Sequence, residues 1–122
     1  MNKWFKILAW SSNIMLWILC LAPIELSLPA PISRVDLFYH ALAYELVATC
    51  FFIAYPSKKI FICLGLIFQG ILIEYIQPYT SRYFEIYDMI ANTTGVIFAL
   101  ILWIAFVQKL KLTLFEKLNL PR

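Results

Sequence analysis

Met89-Ile90-Ala91-Asn92-Thr93-Thr94-Gly95-Val96-Ile97-Phe98-Ala99-Leu100-Ile101-Leu102-Trp103-Ile104-Ala105-Phe106-Val107 runs for about 19 residues without a charged side chain. A helix needs about 20 residues to cross ~30 Å of hydrocarbon. Backbone amides in lipid must find partners within their own segment, which a helix provides and an open strand does not. The stretch therefore reads as a membrane span. Three others resemble it: Trp4 to Ala22, Leu37 to Tyr55, and Ile60 to Ile76. Together they explain why only 14% of residues are charged, where a soluble domain carries about a quarter. The sequence predicts an all-α membrane protein: a four-transmembrane-helix bundle forming a single domain over residues 1–122, with spans about 4–22, 37–55, 60–76 and 89–107.

Lys3 and Lys6 ahead of the first run resemble the start of a signal peptide. That run is long for one, and Leu28-Pro29-Ala30-Pro31 makes a poor cleavage site, so the segment reads as a retained span. Lys3, Lys6, Lys58, Lys59, Lys109, Lys111, Lys117 and Arg122 lie at the two ends and in the second loop, and only Arg34 and Arg82 lie in the first and third loops. This asymmetry places both termini in the cytoplasm and the first and third loops outside. The net charge of +3 follows from that topology. It forms no basic stripe on a soluble surface, so no nucleic acid is expected as partner. Cys20, Cys50 and Cys63 fall in or at the ends of spans, show no metal-knuckle spacing, and read as small packing residues.

The polar groups are few, and their positions are informative. Asp36, His40, Glu74, Gln77, Arg82, Glu85, Asp88 and Asn92 all fall near ends of apolar runs, and threading the runs through a bilayer collects them at one face. Asp36 and His40 share a helix face that continues through Ala43, Tyr44 and Val47. Gly70, Glu74 and Gln77 share another, and Asp88, Asn92, Gly95 and Ala99 a third. Ala91, Gly95 and Ala99 form a small-residue stripe suited to close helix packing. Pro23, Pro29 and Pro31 suggest an extended first loop to Val35, after which Asp36 caps span two. Tyr55-Pro56-Ser57-Lys58-Lys59 reads as a tight hairpin that makes spans two and three antiparallel neighbours. Tyr79, Tyr83, Phe84 and Tyr87 suit an interfacial belt, and the Lys/Leu tail after Gln108 suits the surface of the inner leaflet. Deeper in the bilayer lie Asn13, Glu45 and Gln69. A carboxylate at mid-depth is costly, so Glu45 is expected to be neutral or paired, with Asn13 as the candidate partner.

Asp36-Leu37-Phe38-Tyr39-His40 followed by Tyr44, Ile73-Glu74-Tyr75-Ile76-Gln77, and Arg82-Tyr83-Phe84-Glu85-Ile86-Tyr87-Asp88-Met89-Ile90-Ala91-Asn92-Thr93-Thr94-Gly95 together resemble the VanZ-like membrane protein family. The resemblance covers about Val35 to Ala99. Leu37 stands where the family usually carries Lys, and Ala99 where it often carries a second Gly. What the resemblance implies is a bacterial cell-envelope setting and a connection to teicoplanin resistance.

Three readings of function follow. In the first, the outward cluster binds or modifies an envelope amphiphile, a lipid or a lipid-linked wall component, in the bacterial inner membrane. Arg82 would then clamp phosphate or carboxylate. In the second, the protein is an intramembrane enzyme using His40 with Asp36, Glu74 and Asp88; in the third, it is purely structural. Membrane lipid is the expected surrounding partner, and a homo-oligomer is compatible with the small-residue stripe. One His with carboxylates drawn from three sites gives no recognisable metal motif, so neither a metal nor another cofactor is expected.

Overall fold

Residues 2–22, 30–80 and 84–118 are described by the computed structural model. Every regular element among them is helical. Helix α1 covers Asn2–Leu21, α2 Ala30–Ala54, α3 Lys59–Ile76 and α4 Ile86–Leu118, with 3-10 turns at Pro56–Lys58 and Gln77–Thr80. All four helices are long and apolar enough to cross a membrane, over Lys3–Leu21, Asp36–Ala54, Pro56–Thr80 and Ile86–Val107.

The outer surface is as apolar as the runs themselves. Phe61, Phe68 and Leu64 of α3, and Phe98, Ile101 and Phe106 of α4, are all largely exposed. Water would penalise such a surface, and a hydrocarbon solvent does not. The interior is built from smaller contacts between helices: Ala9, Leu16, Val47, Ala48, Phe52, Ile73, Val96 and Ala99 are buried.

α1 and α3 run one way, and α2 and α4 the other. The most extensive contact joins α2 to α4, followed by α1 on α2 and α3 on α4. α2 and α3, neighbours through their short hairpin, touch much less. A tight turn brings the two helix ends together and leaves the rest free to diverge, and here the better-packing partner of α2 is the parallel helix α4. Gly95 explains why. A Cβ at this position would lie 2.1 Å from the backbone oxygen of Ala41, so the two helices meet backbone to backbone.

Two expected helix starts are corrected. α2 begins at Ala30 and takes Pro31 into its first turn, where a missing N–H costs nothing and the fixed φ suits a helix. Asp36 therefore lies well inside α2 and cannot cap it. α4 begins at Ile86, so Asp88 sits in its first turn near the positive end of the helix dipole. At its other end α4 continues without a break to Leu118, so the Lys/Leu tail prolongs the helix beyond the apolar stretch that ends at Val107. Residues 23–29, which hold most of the first loop, and 81–83 lie outside the described residues.

Mid-depth polar groups pair differently from expectation. Asn13 Nδ2 donates to Gln69 Oε1 at 3.0 Å, and Gln69 Nε2 donates back to Asn13 Oδ1 at 2.8 Å. Glu45 instead accepts the Thr49 hydroxyl at 3.1 Å, one turn along its own helix. Asn13 has both its amide nitrogen and its amide oxygen engaged by the matching amide of Gln69, and Glu45 takes its partner from its own helix. Replacing Gln69 by Leu strands the Asn13 amide. The expected cost is about 0.6–1.7 kcal/mol, the range for hydrogen bonds between membrane helices. Adding Asn13→Leu should recover most of it. Thermal unfolding of the two single variants and the double variant measures the coupling, and simple additivity would contradict the pair.

Candidate functional site: a polar cluster at one end of the bundle

The end where α2 and α4 begin and α3 finishes gathers the candidate residues. His40 is the hub. It sits one turn beyond Asp36 on α2, with its side chain only 10% exposed. Its Nδ1 lies 3.1 Å from Asn92 Oδ1 on α4. Its Nε2 lies 3.6 Å from Asp88 Oδ2 and 3.8 Å from Asp36 Oδ2. The ring is therefore gripped by an amide on one side and faces two carboxylates on the other. Asp88 is buried, whereas the Asp36 side chain is 47% exposed and forms the open edge of the site.

The close crossing of α2 and α4 sets this geometry. Ala41, which meets Gly95, directly follows His40, and Asn92 lies one turn before Gly95 on α4. Helical spacing then stacks Asp88, Asn92, Gly95 and Ala99 on one buried face. On α3, Gly70 performs a related service. A Cβ there would stand 3.3 Å from Asn92 Cβ and 3.5 Å from both Asn92 Nδ2 and the Tyr44 hydroxyl. Its absence lets α3 close over those two residues. Tyr44 is fully buried, and among the described residues neither its hydroxyl nor Asn92 Nδ2 makes a hydrogen bond of good geometry.

The remaining candidates separate into two roles. Glu74 is fully buried and its Oε2 accepts the Glu85 N–H at 3.4 Å, tying α3 to the start of α4. Gln77, 1% exposed, donates through Nε2 to the Cys20 carbonyl oxygen at 3.1 Å and so fastens the end of α1. Glu85 is exposed, and its backbone rather than its carboxylate makes this contact. Arg82 lies outside the described residues. Tyr79 and Tyr87 are exposed around this end, and the Phe84 ring packs on Tyr75 at 5.2 Å between centroids.

Two features escaped the sequence reading. Tyr44 was visible only as a continuation of the His40 face, although its spacing of one turn from His40 signals a second buried polar group. The other is how closely Asp36, His40 and Asp88 approach, apart from the Glu74 that the sequence groups with them: their potential ligand atoms all lie within 4.8 Å of one another. Spacing along a chain shows that residues share a face but not how near two helices bring them.

No protein-family model, curated protein or solved structure matches this chain. The fold and the cluster therefore stand on the chain's own geometry.

Proposed function

We propose that this chain is a small bacterial inner-membrane protein that binds or modifies an envelope amphiphile through the cluster built on His40. What supports the reading is the burial of Glu74, Gln77, Asp88 and Asn92 at a single end of a largely apolar bundle, beside the half-exposed Asp36. Ionisable groups in a membrane are costly and usually functional. The Lys distribution favours cytoplasmic termini, which puts the cluster at the outer leaflet where headgroups lie. The resemblance to VanZ-like proteins adds the cell envelope and tolerance of glycopeptide antibiotics. A second reading, an intramembrane enzyme with His40 as base, draws on the two carboxylates that face Nε2. Recovery of a bound amphiphile in altered rather than intact form would favour it.

Two measurements test the proposal. With the native cysteines replaced by Ala, a cysteine at Tyr79 should react with an impermeant maleimide in intact cells, and one at Ser57 should not. Reversed labelling places the cluster on the inner side and removes the outer-leaflet reading. In cells whose teicoplanin tolerance rises when the chain is expressed, Glu74→Gln and His40→Gln should abolish the rise while folded yield stays near wild type. Tolerance that falls only in step with folded yield would leave a purely structural role.

A further inference from the structure

We infer that Asp36, His40 and Asp88 form a binding site for a divalent first-row metal ion, with zinc the best match. The first support is the tautomer of His40. Asn92 Oδ1 can only accept, so the 3.1 Å contact puts a proton on Nδ1, and in the neutral ring Nε2 then presents its lone pair to Asp36 and Asp88. In that form three possible ligand atoms converge within 4.8 Å of one another. A metal-binding histidine characteristically donates its other ring N–H to such an oxygen, which fixes the ring for its ion.

The second support is distance. At 3.6 and 3.8 Å, Nε2 is too far from the two carboxylates for hydrogen bonds. Zinc bonds of about 2.0–2.2 Å to nitrogen and carboxylate oxygen separate neighbouring ligands on a tetrahedron by roughly 3.3–3.6 Å. The two distances from Nε2 are close to that of atoms sharing an ion, and the two carboxylate oxygens lie within 4.8 Å of each other. If the Asn92 amide were turned over, Nδ2 would donate to Nδ1 and the ring proton would move to Nε2. That arrangement, like an imidazolium paired with Asp36 or Asp88, calls for a hydrogen bond of about 2.7–2.9 Å to a carboxylate, which is shorter than either contact.

The donor set narrows the ion. Imidazole with two carboxylates suits zinc or manganese better than calcium or magnesium, which prefer oxygen alone. Three protein ligands leave a tetrahedral ion one open position. With Asp36 as the exposed edge, that position can accept a phosphate or carboxylate oxygen from a headgroup. The ion rests on the functional reading above only for what it meets there. Metal binding and antibiotic tolerance are measured separately, and either can fail alone.

The test uses the full chain, purified in detergent, stripped with EDTA and titrated with Co2+ and then Zn2+. One ion per chain is expected, with visible Co2+ absorption that Zn2+ displaces. His40→Gln and Asp88→Asn should each weaken binding at least about 100-fold. Asn92→Leu removes only the group that orients the ring and should weaken binding about 10–100-fold. Asn92→Asp, which still accepts from Nδ1, should restore it. Circular dichroism verifies that each variant is folded. Asp36→Asn, at a half-exposed position, provides a ligand variant that folding tolerates, and a loss of at least tenfold is expected. A folded wild-type chain that binds neither ion stoichiometrically overturns the site, as does wild-type affinity in the folded ligand variants.

Discussion

Gly95→Leu is expected to abolish recovery of folded protein from membranes, and Gly95→Ala to lower its thermal midpoint sharply. Even a single methyl group would meet the Ala41 carbonyl oxygen at 2.1 Å, and that oxygen belongs to a helix backbone that cannot rotate aside. Overpacking typically costs about 1–3 kcal/mol, and an obstruction made of backbone puts Gly95→Ala at or above the upper end. The matched control is Gly65→Ala on α3, where a Cβ would meet nothing within 4 Å. Its midpoint should stay level or rise, because Gly inside a helix is worth about 0.5–1 kcal/mol less than Ala. Equal melting of Gly95→Ala and wild type would mean that α2 and α4 do not cross this closely.

Phe52→Ala should be the most damaging single truncation of the interior. Phe52 is fully buried on α2 and its ring lies 5.9 Å from that of Trp103 on α4. In a bilayer, moving an apolar side chain from lipid to protein yields little hydrophobic gain. The loss is therefore one of contacts and of the space left unfilled. Phe→Ala in packed interiors costs about 3–5 kcal/mol. The adjacent Ile53 is 39% exposed on the lipid side, and Ile53→Ala should leave the midpoint nearly unchanged. A similar loss at both positions would show that α2 faces the bundle with a different side.

Much of this architecture is legible in the sequence because the bilayer imposes it. Run length fixes the number of helices, and helical spacing puts Asp88, Asn92, Gly95 and Ala99 on one buried face. Other features depend on distances that no one-dimensional pattern carries. Asn13 and Glu45 share a depth, but the rotation of α1 and α3 delivers Gln69 to Asn13 instead. Pro31 reads as a break, yet a first helical turn accommodates it, so α2 starts earlier than its hydropathy. The cluster was visible as a set of residues, and its division was not. Gln77 reaches back to α1, whereas His40 draws Asp36, Asp88 and Asn92 together.

The crossing at Gly95 also bears on how the protein answers to its surroundings. Bilayers differ in thickness, and spans adjust to mismatch by tilting at modest cost. Where side chains separate two helices, such tilting is absorbed by rotamer changes that alter the interhelical distance. α2 and α4 have no such cushion at Ala41 and Gly95, so they must tilt as a single unit. α1 packs on α2 and is bonded to α3 through Asn13 and Gln69, but its backbone does not approach α4 among the described residues. His40 and Asn92, each within a turn of the crossing, therefore keep their spacing when the membrane thins or thickens. The spacing on which the His40–Asn92 contact depends is thereby insulated from acyl-chain length.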